Sequence, residues 1–95
     1  MFDDARAFNG DINGWDVSSV TDMSHMFNSA SSFNQPLNSW DVSSVIDMSS
    51  MFYNARAFNQ DISNWNVNSV RSFSGIFSGA TKMNENPHYK PPRFR

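Results

Sequence analysis

Eight Asp, one Glu (Glu85) and two His (His25 and His88) are the groups with which this 95-residue chain could do acid–base or metal chemistry, and it has no Cys. No nucleophile with a matched base can be assembled from their spacing. The chain is therefore expected not to be an enzyme and to carry no cofactor. Calcium needs about six to eight oxygens in one place, whereas Asp3, Asp4, Asp11, Asp16, Asp22, Asp47 and Asp61 are dispersed along the chain. Asp11-Ile12-Asn13-Gly14 starts like a calcium loop and then runs into Trp15, so no metal site is expected. What remains is recognition by polar side chains at a fixed spacing. Gly14, Asp16 and Ser18 are followed by Ser39, Asp41 and Ser43, then by Asn64, Asn66 and Asn68. On strands lying about 5 Å apart, Asp16 and Asp41 would repel by about 1 kcal/mol in water-like dielectric. A cation or a basic partner would relieve that repulsion. Asp16, Ser18, Asp41, Ser43, Asn64, Asn66 and Asn68 are thus the expected partner-binding residues; the alternative is a solvated acidic face with no ligand.

That spacing comes from a 25-residue repeat. Blocks 1–25, 26–50 and 51–75 align without a gap, and a partial block covers 76–84. Met1, Phe2, Ala5, Phe8, Asn9, Trp15, Val17, Ser19, Val20 and Ser24 recur identically in the second and third blocks. Most of these are apolar, so repetition mainly preserves a buried face. Trp15-Asp16-Val17, Trp40-Asp41-Val42 and Trp65-Asn66-Val67 alternate as short half-buried strands should. Val20, Met23, Met26, Phe27 and Ala30 then have the spacing of one helical stripe. Ser19-Val20-Thr21-Asp22 and its equivalent at Ser44–Asp47 resemble capping boxes. The third block keeps Ser69 but has Ser72 in place of the carboxylate, a weaker cap. The helix is expected to stop just after Ala30, and Phe33-Asn34-Gln35-Pro36 to turn the chain toward the next strand. One such unit cannot bury its own stripe. The expected architecture is an α/β solenoid, with parallel strands on one wall and helices on the other. Equivalent side chains then form columns: Phe8, Phe33 and Phe58; Trp15, Trp40 and Trp65; and Asn9, Asn34, Asn59 and Asn84. The Asn column reads as structural, satisfying backbone groups at a corner closed to water.

Two patterns carry a family resemblance. Ile12-x-x-Trp15-x-Val17-x-x-Val20 resembles the leucine-rich-repeat core. The run from Trp40-Asp41-Val42-Ser43-Ser44-Val45 through Met51-Phe52-x-x-Ala55-x-x-Phe58-Asn59-Gln60-Asp61-Ile62 resembles the BspA-like surface-protein repeat, also found in mycoplasma lipoproteins. The resemblance spans residues 1 to about 84. It implies a leucine-rich-repeat-like stack at the cell surface or secreted, without enzymatic activity, acting in adhesion or protein–protein interaction. Met1-Phe2 matches Met26-Phe27, so the first block starts in mid-repeat, and no leader or lipobox cysteine is present. An excerpt of a longer array is one expectation from this, a small stand-alone reading frame the other.

The end of the chain differs in kind. Residues 1–81 hold eight Asp against Arg6, Arg56 and Arg71, or −5. Residues 82–95 hold Lys82, Lys90, Arg93 and Arg95 against Glu85, or +3. With Pro87, Pro91 and Pro92, the segment 85–95 cannot continue the repeat. It is expected to cap the stack or to fray. The four cations of residues 82–95 are too few for a nucleic-acid contact, and no apolar run reaches the length of a membrane span. Two other functions are compatible with these residues. A surface carbohydrate module would need exposed Trp rings, whereas the phase of the three Trp with Val17, Val42 and Val67 places them in the core; the other is a purely structural spacer. Apolar ends of the stack predict end-to-end self-association.

Overall fold

Ser, Asn and Asp side chains bond to nearby backbone groups and so compete with helix and strand ladders. Every repeat is dense in them. The computed structural model describes residues 2–95, and Met1 of the recurring Met1-Phe2 pair lies outside the described residues. Between Phe2 and Ala80 the backbone is a succession of tight turns, closed by bonds in which an N–H donates to the carbonyl three residues back. Ala5 to Phe2, Trp15 to Ile12, Val20 to Val17 and Met26 to Met23 are examples, and the same bonds recur 25 residues on.

The expected α/β solenoid, a leucine-rich-repeat-like stack of short parallel strands and helices, does not form. The described residues contain no sheet. Parallel pairing is confined to isolated bridges between Asp22 and Asp47 and between Asp47 and Ser72, outside the Trp-x-Val segments expected as strands. The only α-helix among the described residues is α1 (Thr81–Glu85), after the third block. The apolar stripe from Val20 to Ala30 is real, but its backbone is broken at His25 and Ser29, both with φ near +60°. Ser50 and Asn54, then Gly75 and Gly79, hold the same left-handed geometry in the later coils, and Asp4 holds it in the first. A left-handed residue every few positions converts a helix into linked turns. The capping boxes at Ser19 and Ser44 are corrected with it: Asp22 and Asp47 accept from Ser24 and Ser49 instead of capping a helix start.

Successive coils lie over one another and are joined by backbone bonds, most of them donated from the earlier coil to the later. The sense reverses at the start of each row, where Ile46 N–H donates to the Thr21 carbonyl and Arg71 N–H to the Ile46 carbonyl. Phe2 and Asp4 N–H donate to the Met26 and Asn28 carbonyls. Met23, His25, Phe27 and Ser29 donate to Asp47, Ser49, Met51 and Tyr53. Met48, Ser50, Phe52 and Asn54 donate in turn to Ser72, Ser74, Ile76 and Ser78.

The core runs along the stack as two interleaved columns of rings. Phe8, Phe33 and Phe58 stack at 5.7 and 5.9 Å between centroids. Phe2, Phe27, Phe52 and Phe77 stack at 5.5, 5.4 and 5.6 Å. Within a coil the columns touch, as at Phe27–Phe33 and Phe52–Phe58, both 4.4 Å. Trp40 and Trp65 are buried, and each indole N–H donates 2.9 Å to a carbonyl of the preceding coil, Ile12 and Leu37 respectively. Trp15 departs from the expectation of a buried column: no coil lies over it among the described residues, and it is 45% exposed. The Asn column is structural from Asn9 to Asn59, though not shut off from water. Exposed Asn9 accepts from the Asn34 backbone N–H at 2.8 Å, and Asn34 accepts from Asn59 at 2.9 Å. Asn84 does not continue it: its N–H donates to the Ala80 carbonyl and its side-chain amide to the Phe77 carbonyl.

The C-terminal segment closes the far end. After α1, two 3₁₀ turns (Pro87–Tyr89 and Pro92–Phe94) fold back over the third coil. Ile62 N–H donates to the Tyr89 carbonyl, the Arg93 guanidinium donates to the Val67 carbonyl at 2.6 Å, and Phe94 stacks on Phe73 at 4.6 Å. Of the two apolar ends expected, this one is therefore largely covered.

Candidate functional site

An Asp two residues before a Ser can accept from both the hydroxyl and the N–H of that Ser, which closes an Asx turn. This chain uses the device repeatedly. Asp16 accepts from Ser18 Oγ at 2.6 Å and from its N–H at 3.0 Å, and Asp41 does the same with Ser43. In the third coil Asn66 accepts from the Asn68 N–H at 3.1 Å. Asp61 and Ser63 repeat the arrangement at another corner. The first three of these turns begin at the middle residue of Trp-x-Val, and the fourth spans Ile62.

The expected partner-binding residues all lie at the surface. Asp16, Asp41, Asn64, Asn66 and Asn68 are exposed, and Ser18 and Ser43 are half-buried. Asp16 and Asp41 are near enough that the charge of Asp16 opposes ionisation of Asp41. The Ser43 hydroxyl, and after it the Ser43 N–H, outweighs this and holds the Asp41 carboxyl below its ordinary range. Ser18 does the same for Asp16. Both carboxylates are thus charged at neutral pH. Among the described residues the only ion pair is Arg6–Asp4, at 3.0 Å, so neither has a cationic partner.

The seven residues do not converge on one cavity. Asp16 borders an apolar hollow of about 240 Å³ with Trp15, Val20 and Asp22. Ser43 and Asn68 line a shallow hollow of about 660 Å³ with Arg71 and Arg93. Asn64 gives its side-chain N–H to the Asn38 carbonyl at 3.1 Å and lines a third, polar hollow with Gln60, Asp61 and Ser63. The arrangement is an open strip suited to a broad contact. No group of three or more His, Asp or Glu that could hold a metal ion occurs among the described residues.

Sequence reading missed three features. The ring column Phe2–Phe27–Phe52–Phe77 was masked by its helical spacing. The second is the exposure of Trp15, whose counterparts Trp40 and Trp65 are buried. The third feature is the outer edge of the last coil, where the N–H groups of Phe73, Gly75, Phe77 and Gly79 find no partner among the described residues.

Turn-rich coils repeated every 25 residues around a column of rings, with an exposed polar strip, define a tandem-repeat protein. The chain belongs to the family described as "Mycoplasma protein of unknown function, DUF285", which it matches over residues 1–89. No curated protein and no solved structure matches it. No helix among the described residues is long and apolar enough to cross a membrane.

Proposed function

We propose that this chain is a non-enzymatic recognition module that holds a basic protein partner against Asp16, Asp41 and the polar strip around them. The observation that carries this reading is the pair of charged carboxylates repeated from coil to coil with no cation beside them. Ser18, Ser43, Asn64, Asn66 and Asn68 extend the strip with donors and acceptors. The motif residues shared with BspA-like surface repeats support a place at the cell surface and a part in adhesion. That kinship is read without the leucine-rich-repeat fold.

The decisive variant is Asp16→Asn with Asp41→Asn. Asn66 shows that an amide at this position still closes the turn, so the change removes charge and spares the backbone. A partner retained by the natural chain at low salt and lost by the double variant supports the reading. A partner retained equally by both removes the strip as the site, and no retained protein at all removes the function.

A second reading, carbohydrate binding, is favoured by one observation: Trp15 is exposed beside Asp16 and Asp22. It predicts that a glycan blue-shifts Trp emission and that Trp15→Phe abolishes the shift. Unchanged emission across a panel of surface glycans eliminates it.

A further inference from the structure

In the first two coils, four alternating backbone N–H groups face the next coil, and all are satisfied there. Met23, His25, Phe27 and Ser29 form one such row, and Met48, Ser50, Phe52 and Asn54 the next. The equivalent row in the third coil is Phe73, Gly75, Phe77 and Gly79. None of these four donates to any group among the described residues, although the chain continues past them and folds back over the same end. The returning segment covers the interior and stops short of this edge. It leaves an open groove of about 440 Å³ whose floor is 73–78 and whose wall carries Asn84, Lys90 and Phe94.

The neighbouring coils state what fits such a row. Its donors are met by carbonyls of alternate residues, Asp47, Ser49, Met51 and Tyr53 in one case and Ser72, Ser74, Ile76 and Ser78 in the other, in a segment running in the same direction. An unpaired row of backbone groups along an edge is a template for added chain. At its start it has one acceptor free among the described residues, the Arg71 carbonyl, whose counterparts Thr21 and Ile46 accept from the next coil. Otherwise it offers four donors. The charge beside it has the same sign. Lys90 Nζ lies 5.0 Å from the Phe77 ring centroid and donates to the Asn84 side-chain oxygen at 2.7 Å, with no carboxylate paired to it. Arg93 lies over the Phe73 ring toward the other end, 5.4 Å from its centroid. Residues 82–95 sum to +3.

We propose that the groove along Phe73–Gly79 binds an acidic peptide segment of a partner protein, which runs parallel to it and presents a carbonyl at every second residue. A second copy of this chain fits less well. Of its equivalent carbonyls only Asp22 and Ser24 are free among the described residues, because those of Met26 and Asn28 already accept from Phe2 and Asp4. Phe2–Asp4 also occupies the position that Phe77–Gly79 would need. This site is separate from the Asp16–Asp41 strip and would bind a partner of the opposite charge.

The test uses the full chain labelled with nitrogen-15 and two acetylated, amidated peptides based on residues 46–53, the segment that meets such donors internally. One carries Ile46→Glu and Tyr53→Glu, and the other carries Ile46→Gln, Asp47→Asn and Tyr53→Gln. In the free chain the amides of Phe73, Gly75, Phe77 and Gly79 should exchange with deuterium at least tenfold faster than those of Met48, Ser50, Phe52 and Asn54. The acidic peptide should slow these four at least tenfold and bind at least fivefold more tightly than the neutral one. Lys90→Gln should narrow that preference while leaving the exchange of Phe52 and Asn54 unchanged, which shows the fold intact. Four amides left unprotected at millimolar acidic peptide overturn the proposal. So does equal binding of the two peptides. Protection that rises with protein concentration in the absence of peptide assigns the groove to a second copy and overturns it as well.

Discussion

Phe52→Ala is the sharpest probe of the ring columns. Phe52 is fully buried and stacks on Phe27 below, Phe77 above and Phe58 beside it, with Trp65 6.4 Å away. Truncating a buried Phe costs about 3–5 kcal/mol. The lost ring–ring contacts, worth about 0.5–1.5 kcal/mol per pair beyond area burial, place this site at the upper end. Phe2 is the control: it belongs to the same column, but it is half-buried and has a coil on one side only. Its truncation should cost about 1–2 kcal/mol, in keeping with partial burial. A chain of this length has about 5–14 kcal/mol of total stability. Phe52→Ala should therefore remove a large fraction of it and lower Tm by about 15–40 °C, taking about 4–8 °C per kcal/mol for a small domain. Urea unfolding followed by far-UV circular dichroism gives both costs from the midpoints, provided the slopes agree. Equal costs for Phe52→Ala and Phe2→Ala would refute the reasoning, because the difference arises only from coils on both sides.

Two further outcomes follow from the same geometry. Trp emission should contain one acrylamide-quenchable component and two shielded ones, and Trp15→Phe should remove the first; quenching that persists in this variant contradicts the burial of Trp40 and Trp65. Stability should be nearly level from neutrality down to about pH 4 and then fall. Asp16, Asp22, Asp41 and Asp61 are held below their ordinary value of 3.8 by Ser hydroxyls and N–H groups. Their contribution is therefore present above the unfolded-state value and lost as pH drops through the lower folded one. Thermal melts between pH 2 and 7 check this, and an Asp→Asn variant at all four sites should flatten the acid limb.

The repeat, the burial of Trp40 and Trp65 and the bonding role of Asn9 and Asn34 could all be read from the chain, because each follows from residue type recurring at one period. The backbone path could not. Val20, Met23, Met26, Phe27 and Ala30 satisfy a helical spacing, and a succession of turns can satisfy it too. The discriminating signal lay in positions that look merely variable. His25, Ser50 and Gly75 share one slot, and Asp4, Ser29, Asn54 and Gly79 share another. Gly, Asn, Asp and His are the residues that best tolerate positive φ. At Gly79 a Cβ would also collide with the Asn54 side chain. The pairs Asp16-x-Ser18, Asp22-x-Ser24, Asp41-x-Ser43, Asp47-x-Ser49 and Asp61-x-Ser63 carried a second signal, a local hydrogen bond that outcompetes a helix start. The candidate strip was legible as a set of residues; its division among three shallow hollows depends on corners that only the folded path reveals.

The row of four donors that each joint sends forward gives the molecule a chemical head and tail. Turning a unit end for end would set acceptor against acceptor or amide against amide, so two units can be joined coherently in only one sense. Within that sense the backbone rows of the joints are equivalent. Duplicating the layer 26–50 would lengthen the run of exposed carboxylates and repeat the same backbone row. Reach and valence could then be tuned by copy number alone.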